Sequence, residues 1–395
     1  MIRINSVGVV AGLVCVSLAM EGAVAQGQDG QEGQALRGSV GVVVESTDNR
    51  DASPANEQDN IDVFLRPRAE LFLGSDSSFL ELYYAPSLRY RSEPGDDQDE
   101  TGLLHSAGLN GKYSLSERMR VRAGDVLSIA DDPQIEESGR IMREDHTYTD
   151  NTVHGGMNYD VLKYSNIDLL LRNQIRRFDD EVVANRSDED ETSIRLQHRY
   201  SLTATLRTLL TGEYRMYSYV EDIRDFDSVV TAIGLENVFS PTTVGSVSVG
   251  WQTREYDNEL LDGEGKPYVQ AELGGRLNAD LRIGMVAGYG LRDADAYPYA
   301  SQEYTEARGY ADAKLTQQLL LRLAATYRIS TYDEVSGLLA GGDETVMVGD
   351  AELAFRLADA FTVLVGYRIE DIDADTGVGS SYVKNTARVG ASVQF

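Results

Sequence analysis

Arginine recurs in this sequence at even spacings. Arg66 and Arg68, Arg120 and Arg122, Arg172 and Arg176, Arg195 and Arg199, Arg207 and Arg215, and Arg322 and Arg328 form such pairs; Arg368 and Arg388 extend the set. The opposite parity is mainly apolar. Ile167, Leu169, Leu171 and Ile175 interleave with Arg172, Gln174 and Arg176, and Leu321, Leu323, Tyr327 and Ile329 with Arg322 and Arg328. A guanidinium is a planar fork of fixed donors that matches a carboxylate or phosphate. A wet wall of them would favour anionic or hydroxyl-rich solutes. The competing use is structural. Glu70, Glu81, Glu213 and Glu352 share the basic parity. Arginines paired with such acids, or with loops folded inward, would stiffen the protein and choose no cargo.

Other chemistry is sparse. The four histidines, His105, His146, His154 and His198, show no zinc spacing. His105, Asn110-Gly111 and Ser114 faintly resemble the His/Ser region of outer-membrane phospholipase A. A nucleophile and its base must meet within hydrogen-bond reach, and nine residues of strand hold these two roughly 30 Å apart. Asp371, Asp373 and Asp375 have the spacing of a calcium loop, but Gly377 comes one place late and Tyr382 stands where a bidentate Glu belongs. Loose divalent binding that bridges to lipopolysaccharide is the functional reading; a solvated loop is the plain one. No cofactor is expected. A net charge of −28 argues against nucleic acid as a partner.

The elements that carry the arginines read as strands. At the end of the chain, Val383, Asn385, Ala387, Val389, Ala391, Val393 and Phe395 alternate with Tyr382, Lys384, Thr386, Arg388, Gly390, Ser392 and Gln394. This period of two, apolar against polar or small, suits a strand between lipid and a wet interior. The pattern repeats upstream with alternating short turns and long acidic connections. The expected fold is therefore all-β: a transmembrane antiparallel barrel of about 18 strands, with about 16 as the alternative count. Short turns lie on the periplasmic side and long acidic loops outside. A soluble propeller would need a motif repeated at about 40 residues, and none is present. Of the 22 tyrosines, Tyr83, Tyr84, Tyr90, Tyr214, Tyr217 and Tyr219 fit an interfacial girdle. Inward stacking of carbohydrate on Tyr83 and Tyr217 is the alternative.

The N-terminus has Arg3, an apolar run from Val7 to Met20, and Ala23-Val24-Ala25. This reads as a secretory signal over residues 1–25, then a flexible leader over 26–35 and a barrel over 36–395. Cys15 falls inside the signal, so disulfide chemistry drops out of the mature chain.

The terminal strand ending on Phe395 resembles the β-signal of bacterial outer-membrane barrels, which implies recognition by the barrel-assembly machinery. Phe64–Gly74, Val365–Asp375 and the strand ladder resemble the Putative beta-barrel porin 2 family, whose members include barrels encoded with exopolysaccharide systems. The resemblance implies an outer-membrane location amid lipid and lipopolysaccharide. It also implies a non-enzymatic pore for a polysaccharide or other polar or anionic solute, with polysaccharide-export components as partners. The alternative is a structural or surface-interaction barrel whose acidic loops bind cations. The connection Ala130–Thr147 is only a modest candidate for a constriction loop.

Overall fold

The computed structural model describes residues 33–54, 57–75, 77–94, 99–131, 134–135, 141–142, 146–220, 224–258, 261–333, 341–375 and 377–395. The signal read in residues 1–25 and most of the leader lie outside the described residues. The wall strands are β1 Gly33–Thr47, β2 Asn60–Gly74, β3 Phe79–Tyr84 resumed at Ser87–Arg91, β4 Thr101–Ser116, β5 Met119–Ala130 and β6 Tyr148–Leu162. Next come β7 Ser165–Phe178, β8 Glu189–Ser201, β9 Leu206–Tyr219, β10 Phe226–Ser240, β11 Thr243–Tyr256 and β12 Glu264–Arg276. The series ends with β13 Leu281–Asp293, β14 Ser301–Lys314, β15 Leu319–Tyr332, β16 Gly342–Ala358, β17 Phe361–Ala374 and β18 Tyr382–Gln394. Ala85-Pro86 interrupts β3 because proline has no N–H for the ladder. Both halves still pair with β2 and β4.

Each strand runs antiparallel to its sequence neighbours, and β18 returns to β1, from Ser39 opposite Gln394 to Thr47 opposite Thr386. The result is a closed barrel of 18 strands, the count that the strand pattern predicts. Closure removes both sheet edges, so every wall strand has a partner on each side. The periodicity is realised in the burial. Leu36, Val42, Leu171, Ile233, Val249, Leu323 and Val365 are exposed on the outer face, while Glu45, Arg91, Arg176, Arg254, Arg328 and Glu344 are buried inside. An apolar outside around a charged inside suits lipid as the solvent.

Short turns join β4 to β5, β6 to β7, β10 to β11 and β16 to β17 at one end. The long connections lie at the other. Both described chain ends meet at the short-turn end, where Gly38 and Phe395 exchange two backbone hydrogen bonds of 2.9 Å. The helix α1, Glu181–Ser187, stands in the β7–β8 connection, within a stretch the sequence reading leaves as loop. Some strands run beyond the apolar alternation. β1 begins at Gly33, inside the leader; β8 begins at Glu189; β17 continues to Ala374. Backbone pairing with a neighbour extends a strand even where both parities are polar, and there hydropathy is silent.

Candidate functional site

The interior arginines fall into two groups. Register places every arginine of the even-spaced set on the interior parity. Most are engaged: Arg66 with Glu45 at 3.5 Å, Arg68 with Glu70 at 3.3 Å, Arg120 with Asp160 at 3.4 Å and Arg122 with Asp168 at 3.0 Å. Arg172 reaches Glu191 at 3.8 Å, Arg207 reaches Glu236 at 2.5 Å, and Arg215 pairs with Glu213. Arg322 meets Glu352 at 2.7 Å, Arg368 meets Glu370 at 2.6 Å, and Arg388 meets Asp350 at 2.6 Å. Arg176 joins Glu189 and Asp150, each at 2.9 Å, and Arg328 joins Asp295 and Glu344. Arg195 and Arg199, both on β8, make no hydrogen bond or ion pair among the described residues.

The two ends of the lumen differ. Toward the long loops the interior is filled. The segment between β13 and β14, residues 294–300, folds inward, and Ala294, Ala296, Tyr299 and Ala300 are buried. Tyr299 packs on Tyr332 of β15 with ring centroids 5.2 Å apart, in a cluster that includes Val378. Asp295 accepts from Arg328 Nη2 at 3.1 Å, from the Tyr332 hydroxyl, and from the backbone N–H of Ile141 at 2.9 Å. Arg224 donates to the Ala294 carbonyl at 2.6 Å and to that of Arg186 in α1 at 3.1 Å. This crosspiece thus ties together the wall, α1 and the β5–β6 connection. Ile141 packs with Val346 and Ile372 on the interior of β16 and β17. The described part of Ala130–Thr147 therefore reaches inside the barrel, a larger role than its sequence suggests. Asp295, Tyr332, Arg224 and Ile141 escape a reading by periodicity, because three of them lie in connections and Tyr332 at a strand end.

Toward the short turns, large side chains lie flat along the wall. A Cβ on Gly284 would stand 2.2 Å from Tyr310 Cε1, one on Gly108 2.3 Å from Tyr83 Cε1, and one on Gly124 2.3 Å from His154 Cε1. Each glycine gives a cross-strand ring a seat that a methyl group would fill. Arg68 lies over Tyr83, its guanidinium carbon 4.4 Å from the ring centroid. Tyr83 is therefore an interior residue. Tyr217 is also interior, 6% exposed and stacked on Phe226 at 4.4 Å. Neither belongs to an interfacial girdle, because their parity is the arginine parity. Tyr84, Tyr90 and Tyr214 stand on the outer face.

Two other sequence candidates do not assemble as sites. Asp371 and Asp373 are exposed on the outer parity of β17 rather than in a loop, about 6.6 Å apart along the strand. Asp373 accepts from Ser381 Oγ at 3.2 Å and Asp375 from the Asp343 N–H at 3.0 Å. An extended strand cannot wrap these carboxylates around one ion, and among the described residues no group of three metal-ligating side chains converges. His105 faces outward and bonds Tyr84 Oη at 2.9 Å, whereas Ser114 Oγ donates to the Ser77 carbonyl at 3.0 Å. They occupy opposite faces of β4, since their numbers differ in parity. Phe395 follows β18 on the outer parity and is 78% exposed.

No curated protein matches this sequence. The chain is similar in structure to OccK2 (OpdF) of Pseudomonas aeruginosa, solved in complex with glucuronate: 11% identity, 91% of this chain and 98% of that chain covered, TM-score 0.49. It is also similar to OccAB4 of Acinetobacter baumannii (11% identity, 92% and 99% covered, TM-score 0.49). OpdK of Pseudomonas aeruginosa, solved with vanillate, matches at 8% identity, 91% and 99% covered, with a TM-score of 0.47. Residues 35–395 match the family described as Putative beta-barrel porin 2. With its closed wall, lipid-suited exterior and charged interior, this chain belongs to that family and is an outer-membrane β-barrel of porin type.

Proposed function

We propose that the barrel is a channel for small anionic solutes, wide and basic on the periplasmic side and narrowed on the outer side by the 294–300 crosspiece. The observation that carries this reading is the state of Arg195 and Arg199. Where acids pair with the other arginines of the even-spaced set, these two make no hydrogen bond or ion pair among the described residues and face the lumen, Arg195 with Glu213 across the strand. A fixed positive charge on a wet wall raises the local concentration of anions and lowers that of cations. Exposed Phe395 beside β1 supports recognition by the barrel-assembly machinery, and the apolar outer face supports contact with lipid and lipopolysaccharide.

Full-length protein reconstituted in planar bilayers tests the channel. Anion-selective conductance is expected, together with a rise when residues 294–300 are replaced by a glycine linker. A folded barrel that conducts nothing even with the linker would sink the proposal.

A second reading is passage of a polysaccharide. It is favoured by the flat rings of Tyr83 and Tyr310 on the lumen wall, since aromatic faces suit sugar rings. A polymer needs an unobstructed bore, so this reading requires the crosspiece to leave. Labelled dextran should then cross liposomes that carry the linker variant. Its exclusion from a conducting linker variant would restrict the cargo to small solutes.

A further inference from the structure

Two cations hold the first two residues of the crosspiece. Arg328 of β15 meets the Asp295 carboxylate at 3.1 Å, and Arg224, in the connection between β9 and β10, donates to the Ala294 carbonyl at 2.6 Å. Arg224 has a second acceptor. Its other terminal nitrogen donates at 3.1 Å to the carbonyl of Arg186, in the last turn of α1. The final carbonyls of a helix find no donor inside it, and a cation suits that end. One side chain thus satisfies the end of α1 and holds the crosspiece as well.

Arg224 is 3% exposed, and its guanidinium carbon lies 4.2 Å from the ring centroid of Tyr219. Among the described residues no carboxylate pairs with it. Two carbonyls and a ring face therefore compensate a buried charge, and losing either carbonyl strands a desolvated donor. If α1 leaves, water reaches the guanidinium, and a hydrated Arg224 gains little by staying on the Ala294 carbonyl. A second contact has the same sense: the Arg186 guanidinium carbon lies 5.3 Å from the ring centroid of Tyr297, within the crosspiece. The docking of α1 is itself easily reversed. The helix has seven residues, too few to persist alone in water. It is held by Val183 against Tyr148 and Phe178, while Val182 is 60% exposed.

Resting on the channel reading, we propose that α1 is an outer latch on the crosspiece, with Arg224 as the coupling residue. Docked α1 favours the crosspiece in place, and release of either loosens the other. Such coupling is reciprocal, so it can be read without a current. In the full-length barrel folded in detergent, amide protection over Val182–Ala184 reports the docking of α1. Asp295→Ala, which frees the crosspiece on the Arg328 side, should lower that protection about fivefold or more. R224M removes both carbonyl bonds and keeps an apolar stem on Tyr219. In that background Asp295→Ala should lower the protection no further. Bilayer recording reads the opposite direction: Val183→Ser undocks α1 and should raise conductance, but should add nothing to the rise in R224M. Val183, Arg224 and Asp295 all lie outside the wall strands, so each variant should keep the wild-type β-sheet circular dichroism. Protection unchanged by Asp295→Ala, or lowered equally in R224M, overturns the latch. Conductance that rises in Asp295→Ala but not in Val183→Ser also overturns it. The expected exchange pattern in a barrel that never conducts leaves the coupling standing and removes the channel reading instead.

Discussion

Arg328 of β15 and Asp295 of the crosspiece meet at 3.1 Å with both side chains fully shielded from solvent. Arg328 also holds Glu344 of β16 at 2.9 Å. One guanidinium thus locks a wall-to-wall pair and a wall-to-loop pair at once. A buried ion pair is weak evidence for net stability, because desolvation offsets most of the attraction, but breaking one leaves a charge uncompensated. The arrangement fixes where the crosspiece sits.

Two variants of this pair should behave differently. Arg328→Ala leaves Asp295 and Glu344 buried together without their cation, at a cost of about 3–5 kcal/mol. It should lower the denaturation midpoint of the folded barrel. Asp295→Ala leaves Arg328 with Glu344 and removes the anchor for Ile141, Arg328 and Tyr332. Its wall should stay intact while bilayer conductance rises severalfold. Equal midpoints for Arg328→Ala and wild type, or unchanged conductance in Asp295→Ala, would contradict the locking role.

Charge selectivity should follow the unpaired arginines and not arginine content. Replacing Arg195 and Arg199 together by Ser removes two positive charges that make no ion pair among the described residues. The anion-to-cation permeability ratio should then fall by a factor on the order of three at low salt and by less at high salt. Arg322→Ser removes a guanidinium already paired with Glu352 at 2.7 Å and leaves that acid with Arg388 at 3.4 Å. Reversal potentials in a salt gradient distinguish the two. A double variant that keeps the wild-type ratio would show that the lumen arginines are purely structural.

The rings on the lumen wall depend on glycine seats. A Cβ at Gly284 would lie 2.2 Å from Tyr310 Cε1, so Gly284→Ala must lift that ring from the wall toward the pore axis. Single-channel conductance should drop, and Gly284→Ala combined with Tyr310→Ala should recover it. Non-additivity of this kind marks a direct contact. Additive losses would place the cause elsewhere.

Much of the wall is legible because lipid and water impose opposite polarities on alternate residues, and a one-residue error would turn every side chain over. Phe64 to Leu73 shows this plainly: Leu65, Leu71 and Leu73 fall outward, while Arg66, Arg68 and Glu70 fall inward. The signal fails beyond the membrane belt. There Asp371 and Asp373 continue β17 with water outside and Ile372 packed inside, so the lipid-against-water contrast that marks the membrane strands is lost. It also fails for the crosspiece. Ile141 against Val346, or Arg224 against Ala294, are contacts between distant parts of the chain with no local pattern. The split between paired and free arginines is hidden for a related reason. Parity sets which face a residue takes, whereas the presence of an acid across the strand, as Asp168 is for Arg122 but none is for Arg199, depends on register and side-chain reach.

The last prediction concerns acid and α1, which places Val183 against Tyr148 and Phe178 at the long-loop mouth. Asp180 caps the helix, its carboxylate accepting from the Val182 and Val183 N–H groups at 2.9 Å each. These bonds hold the Asp180 carboxyl below its ordinary value. A lowered carboxyl contributes stability that is fully present above the unfolded value, about 3.9, and lost as pH falls through the lower folded value. Asp188, at the other end of the helix, works in the opposite sense. Burial raises it despite the Phe178 N–H at 2.7 Å, so its protonation in mild acid relieves a cost. In an Asp188→Asn background, amide protection over Val182–Ala184, taken relative to the free amide at each pH, should stay high from neutral pH down to about 4 and fall below it. Asp180→Asn should flatten that dependence, because asparagine caps without titrating, and Asp180→Ala should be fast throughout. Exchange in Asp180→Ala as slow as wild type at neutral pH would mean that packing of Val183, and not the cap, holds α1 at the mouth.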